Sequence, residues 1–406
     1  MSVAVSVVVV SRDRPDALYL CVLGLSQLQY SDFEIVVVAD AKGLAAIEIF
    51  REQVKIVQFD EANISAARNM GISQSAGKIV AFIDDDAVPE PTWLTYLMAP
   101  FATKDVGAVG GFVLGRNGIS FQWKARVIGP DGFTFSVDVD EIKATILTPP
   151  LGYAVKTEGT NMAVRRNVLI DLGGFDPAYH FYLDETDLNV RLAASNYRTA
   201  IAPLAQLHHG FAQSIRRRGD RVPSDLFDIG ASWAVFQKKF VSEADRKTHW
   251  TSIVRTERKR LIEFLLSGGL EPGAVKKLMT RLKDGYQAGQ SRKCMVYYVT
   301  KLIPPPFKPF PFKLRSNVFI SGRSLAANDL QLMACDQVRN GRIVTLLTLS
   351  PTAFFHSVQF YRDGYWKQTG GLFGKSNRGQ SVFKIWSKQR RSVFEEKRTA
   401  SVRKQS

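Results

Sequence analysis

The sequence predicts an α/β protein built on a mostly parallel sheet with helices on both faces. Three observations carry this. Short, unbroken apolar runs recur along the first 85 residues at Val3–Val10, Phe33–Val38, Lys55–Phe59 and Ile79–Ile83. Amphipathic stretches of helical length separate them. The strand-like runs are rich in β-branched residues and do not alternate with polar ones, as expected of strands buried on both faces.

Taken in order, Val3–Val10 is the first strand, closed by the turn Ser11-Arg12-Asp13-Arg14-Pro15. Pro15 opens a helix that reaches Gln29. The second and third strands follow, then a helix over Asn63–Ser75 and the fourth strand, Ile79–Ile83. Gly107–Leu114 reads as a further strand, and Ile119–Pro150 as loop. Met162–Val164 reads as a strand before a helix at Arg166–Leu172, and Asp184–Ser195 as an amphipathic helix. Residues 240–300 read as helical with basic faces. The proline-rich run Pro304–Pro311 can be neither helix nor central strand, so it marks a linker or strap. Arg342–Leu349 and Val358–Tyr361 read as strands, the glycine pair in Gln368–Gly374 as a turn, and the basic tail from Gln389 as frayed. The expected organisation is therefore a principal domain over 1–240, a helical basic segment over 241–303, and a strap with a small C-terminal module over 304–406.

Charge divides the chain. Residues 1–210 carry 17 Lys/Arg against 24 Asp/Glu, whereas 211–406 carry 37 against 14. A basic half seeks polyanions, and here the expected partner is an anionic membrane surface contacted through 211–406. Zinc-finger spacing, stacking motifs and a basic region joined to heptads are all missing, which makes nucleic acid an unlikely partner. The three cysteines are scattered, and no run approaches the ~20 apolar residues of a membrane span. Together these features predict a cytoplasmic protein, soluble or peripheral on the inner face of the plasma membrane.

The densest chemistry is Asp84-Asp85-Asp86, directly after a buried strand. Adjacent carboxylates repel, and a cation would relieve them. Carboxylate oxygens at the carboxyl end of a strand suit Mg²⁺ or Mn²⁺ that keeps positions open for phosphate.

At this point the sequence resembles a known family. Ile83-Asp84-Asp85-Asp86 is similar to the aspartate-x-aspartate motif of the family 2 glycosyltransferases, which have a GT-A fold. Val7–Pro15 resembles their first strand and turn, Glu34–Asp40 their second strand, and Ala67-Arg68-Asn69-Met70-Gly71 the helix start over the nucleotide. Gly173-Gly174-Phe175-Asp176, followed by Asp184-Glu185-Thr186-Asp187-Leu188 and Arg191, resembles their acceptor-side segment. The resemblance covers about residues 3–215.

It implies a metal-dependent inverting transfer of a sugar from a nucleotide diphosphate, a UDP-sugar first, to a hydroxyl of a glycan or lipid-linked acceptor in cell-surface polysaccharide synthesis. Mn²⁺ or Mg²⁺ would be held by Asp86 and Asp84, with His209 favoured over its neighbour His208. Ser11, Arg14, Asp40, Arg68, Asp84 and Asp85 would face the nucleotide. Gly159, Thr160 and Asn161 would line the donor and acceptor pocket, a plain turn being the other reading of that stretch. The general base would be Glu185, then Asp184, then Asp187, although Asp187 and Arg191 also stand at ion-pair spacing on one helix. Two departures from the family pattern matter: Ala39 replaces the first of the usual two aspartates, and Asp184-Glu185 reverses the usual Glu-Asp. Arg216-Arg217-Arg218 would form a basic lid over the diphosphate, bind an anionic acceptor or touch a membrane. The competing reading is a catalytically inactive GT-A-like scaffold whose basic half binds membrane or polyanion.

Overall fold

The computed structural model describes residues 2–195, 197–210, 213–294 and 303–403, so part of the expected helical segment (295–302) and the last residues of the tail (404–406) lie outside the described residues. Four parallel strands form one side of the principal sheet: β1 (Val5–Ser11), β2 (Phe33–Ala39), β3 (Lys55–Gln58) and β4 (Ile79–Asp84), in the spatial order β4-β1-β2-β3. Every residue of β1 and β2 is buried. Val5, Val7 and Val9 pack beneath α1 (Pro15–Leu25), whereas Val8 and Val10 join the opposite core. After α2 (Ala41–Ala46), α3 (Ile64–Gln74) puts Ala67 and Ile72 into that second core. Coverage on both faces explains why these strands read as apolar runs.

The sheet continues past the aspartates. β5 (Ala87–Pro89) and α4 (Trp93–Met98) lead to β6 (Val106–Leu114). The stretch read as loop instead holds four short strands, β7 (Phe121–Trp123), β8 (Arg126–Ile128), β9 (Thr134–Ser136) and β10 (Thr145–Leu147). Each is three residues long, too short to leave a periodicity in the sequence. β11 (Ala154–Lys156) pairs with β8, and β12 (Met162–Arg165) enters antiparallel between β4 and β6. After α5 (Arg166–Asp171) and α6 (Asp184–Ala193), the long strand β13 (Arg198–His209) runs parallel to β6, and its end pairs with β5.

Three helices follow: α7 (Phe227–Phe240), α8 (Arg246–Leu266) and α9 (Pro272–Ser291). α7 and α9 cross at backbone contact. A Cβ on Gly285 would lie 1.8 Å from the Phe227 carbonyl oxygen, and one on Gly289 would lie 2.3 Å from that of Ala231. Glycine is required at both places. Among the described residues no helix is long and apolar enough to cross a membrane.

The proline-rich stretch is an extended strap. Phe310 stacks on Phe33 at 5.4 Å between ring centroids and donates its N–H to the Phe33 carbonyl. It leads into a separate four-stranded sheet, ordered β14-β15-β17-β16, with β14 (Asn317–Arg323), β15 (Ile343–Ser350), β16 (Ser357–Phe360) and β17 (Trp366–Gly371); α10 (Ala327–Arg339) makes the crossover. The glycine pair Gly370-Gly371 ends β17, and the turn expected in this stretch follows at once, where Gly374 donates to the Gly371 carbonyl; the β16–β17 hairpin itself reverses earlier, where Gly364 donates to the Tyr361 carbonyl.

The tail expected to fray is also different: Lys388–Arg403 is a helix, α11, docked onto the principal sheet. Its polar residues gave no apolar face to read, because the docking is ionic. The Arg403 guanidinium donates to both Glu90 oxygens at 2.8 and 2.9 Å and to Thr345 Oγ1 at 2.8 Å, while Thr92 donates to the Val402 carbonyl. Burial alone would raise the Glu90 pKa, but Arg403 and His208 hold it at about 2. A carboxylate held below its ordinary 4.5 contributes stability that is present above that value and lost as pH falls towards 2. Arg403→Ala leaves a buried carboxylate without its main partner and is expected to cost about 3 kcal/mol in denaturant unfolding at neutral pH. The deficit should shrink on acidification, as Glu90 protonates.

Candidate active site

The loop after β4 carries the aspartates, and β5 returns it against the end of β13, where His209 pairs with Ala87. Asp84, Asp86 and His209 thereby each bring one ligand atom to within 4.8 Å of the others. Two carboxylates and an imidazole form a donor set suited to Mn²⁺, and to Mg²⁺ through the carboxylates. His209 Nε2 lies 3.2 Å from Asp86 Oδ1, its Nδ1 is 3.3 Å from Gln122 Oε1, and Trp123 packs against the ring. Burial alone would lower the imidazole pKa, but Asp86 and then Asp84 raise it.

The other members of the acidic stretch are placed differently. Asp85 is fully buried, accepts from Ser11 Oγ at 2.7 Å and meets Arg14 at 2.9 Å. Burial pushes its carboxyl up to about 7, against the pull of Arg14. Asp85 and Ser11, both expected at the nucleotide, therefore brace the loop from beneath. Arg14 also reaches Asp86 at 3.3 Å. The expectation that the triplet needs an added cation overlooked this arginine and Arg68, which offset part of its charge in the folded chain.

His208, the alternative ligand, lies outside the cluster. Alternation along β13 sends it to the opposite face, where Nε2 meets Glu90 at 2.8 Å and the ring packs on Trp366 at 4.6 Å. Asp40 is the N-cap of α2: one oxygen accepts from Gly43 N and the other from Asp13 N, which sets the turn after β1.

Arg68 joins the two halves of the site. It is buried on α3, with Nη2 3.1 Å from Asp84 Oδ1 and Nη1 on the Asp184 carboxylate. Gly159 makes room for it, since a Cβ there would sit 2.5 Å from Nη2. Gly159→Ala is expected to displace the guanidinium and weaken nucleotide binding about tenfold by calorimetry, the usual scale for one charge-assisted contact. Thr160 Oγ1, beside it, is buried with no hydrogen-bond partner among the described residues. The Asn161 side chain donates to the Phe112 and Ala205 carbonyls and accepts from Trp93 Nε1, tying the start of β12 to its neighbours.

Asp184 and Glu185 open α6. Asp184 is driven up to about 7 by burial, against Arg68 and with help from the neighbouring Glu185 charge. For Glu185, burial raises the pKa, but the charge of Lys156 on β11, hydrogen bonds from Asp184 and Lys156, and the Arg68 charge together outweigh it and bring it to about 2. The Glu185 side chain keeps 17% of its surface exposed, against 3% for Asp184 and none for Asp187. Asp187 is enclosed by Arg191 on its own helix and Lys239 from α7. Lys156 and Lys239 had no signature in the sequence, because each reaches its partner from a distant element. In the basic loop, Arg216 pairs with Asp228 and Arg218 with Asp220, whereas Arg217 lies within the electrostatic reach of Asp86 and Asp84.

A mostly parallel sheet flanked by helices, with carboxylates and a histidine gathered at the ends of β4 and β13, defines an α/β protein whose candidate site lies at the carboxyl ends of its strands. Residues 6–172 match the model of glycosyl transferase family 2. The O-antigen biosynthesis protein RfbC of Myxococcus xanthus is 29% identical over 57% of this chain and 19% of its own length. The glucosyl-dolichyl phosphate glucuronosyltransferase of Haloferax volcanii is 27% identical over 43% of this chain and 56% of its own length. The chain thus spans from about a fifth to just over half the length of these relatives. Among solved structures, Staphylococcus aureus TarS 1-349 in complex with UDP aligns with a TM-score of 0.44 and 18% identity, over 70% of this chain and 80% of that one.

Proposed function

We propose that the chain is a metal-dependent, inverting glycosyltransferase that moves a sugar from a nucleotide diphosphate, UDP first, to a hydroxyl of a glycan or lipid-linked acceptor. The similarity to an O-antigen biosynthesis protein supports a role in cell-surface polysaccharide synthesis. The observation that carries the reading is the link through Arg68 between the Asp84–Asp86–His209 cluster and the Asp184–Glu185 pair, which sets a metal site beside a carboxylate able to accept a proton.

Asp84, Asp86 and His209 would hold Mn²⁺ or Mg²⁺, which supplies electrophilic stabilisation of the departing diphosphate. Arg217 would close on the phosphates. Glu185, ionised at neutral pH, would accept the acceptor's hydroxyl proton as that oxygen attacks the anomeric carbon opposite the leaving group; a single displacement of this kind inverts configuration. Arg14, Ser11 and Asp85 would hold the aspartate loop in place. We assign residues 1–240 to catalysis, 241–303 to a supporting helical segment, and 304–406 to an accessory module.

The test is thermal unfolding with Mn²⁺ and a panel of UDP, GDP, dTDP and CMP. A ligand that binds the native state raises the midpoint as its concentration exceeds Kd. A rise with one nucleoside diphosphate that chelator abolishes is expected. No shift with any of them would replace this reading with an inactive scaffold.

A further inference from the structure

We infer that one end of the accessory sheet docks on an anionic lipid bilayer, with the 354–355 and 382–385 loops seated among the headgroups. Phe354, Phe355, Val382, Phe383 and Ile385 are between 57% and 81% exposed. They are far apart in sequence but converge in space. Gly371 donates to the Phe354 carbonyl, His356 to that of Lys375, and Lys384 to that of Phe373. The three segments therefore lie side by side, and the Phe373 and Phe383 rings meet at 5.6 Å. Five large exposed apolar side chains on two segments held together by the strand end between them exceed the scattered apolar exposure of an ordinary surface.

Charge identifies the occupant. Residues 364–394 contain seven Lys/Arg and no Asp/Glu. Lys375 stands 5.0 Å from the Phe355 ring and Lys384 stands 4.5 Å from that of Trp386, so cations and aromatics are interleaved. Aromatic rings beside lysines match the chemistry of the bilayer interface, and clustered cations match an anionic leaflet. A second copy of this chain would bring like charges face to face. Nucleic acid would offer no stacking to Val382 or Ile385, which gain only by leaving water. A bilayer satisfies both features. The inference stands apart from the transferase reading, although a bilayer is also where a lipid-linked acceptor would reside.

The experiment is co-sedimentation of the full chain with phosphatidylglycerol–phosphatidylcholine vesicles and with phosphatidylcholine alone. Binding to the anionic vesicles that weakens with salt is expected, with about a tenfold loss for Phe354→Ser/Phe355→Ser and again for Lys375→Glu/Lys384→Glu. Unchanged thermal midpoints in both double variants establish that their folds are intact. Equal partitioning into both vesicle types, or full binding by both variants, would overturn the proposal. Loss on charge reversal alone would overturn the seating of the aromatics. If single-stranded RNA binding or self-association disappears in these variants while vesicle binding persists, the patch serves that partner instead.

Discussion

Asp86→Ala is expected to abolish metal-dependent nucleotide binding and to lower turnover about 10³-fold or more, the scale of several kcal/mol of lost electrophilic stabilisation. The fold should survive. Asp86 is buried beside Asp85, whose carboxyl is already pushed up to about 7, in part by the Asp86 charge, so alanine relieves a repulsion as it removes the contacts to His209 and Arg14. Thermal midpoints without metal should agree within a few degrees, and calorimetric titration with Mn²⁺ and the preferred nucleotide should lose its heat. Undiminished affinity in the variant would mean that Asp84 and His209 do not share their metal with Asp86, and the proposed site would fall.

Glu185→Gln is expected to retain donor binding and to lose turnover by about 10³-fold, within the usual contribution of a general base. The amide preserves shape and its oxygen can keep the contact with Lys156 but cannot take a proton. The reason to favour Glu185 is access. Asp184 is covered by Arg68 and Asp187 by Arg191 and Lys239, whereas Glu185 keeps an open edge. Lys156 provides the control. Because its ammonium is the main influence holding the Glu185 pKa down, Lys156→Met should raise that pKa and move the acid limb of the kcat/KM profile to higher pH. Full activity of Glu185→Gln would pass the role to Asp184, the next carboxylate on the same turn.

The amino-acid sequence by itself determined the class of the principal sheet and where along the chain its first four strands lie. Strands covered on both faces must be apolar throughout, and the runs at 5–11, 33–39 and 79–84 could be nothing else in a chain this length. It also located the acidic loop, because three consecutive aspartates after a buried strand are unfavourable in any arrangement that does not answer their charge. Its order of motifs led to the family that residues 6–172 match.

Only the tertiary structure decided which of the marked residues face the same space. Ser11, Asp40, Asp85 and Asn161 are polar residues beside a site, and sequence cannot separate a residue that touches a ligand from one that holds up the loop beneath it. The Asp85 side chain has no exposed surface and that of Asp86 only 5%, whereas Asp84 keeps 26%, a difference set by the direction of one turn. His208 and His209 are adjacent in sequence and opposite in space, since side chains alternate along β13. The docking of α11 was equally hidden. It depends on Arg403 reaching Glu90 across more than three hundred residues, an ionic contact between single side chains. Periodicity records the burial of whole faces; a pairing of two charges leaves no period to read.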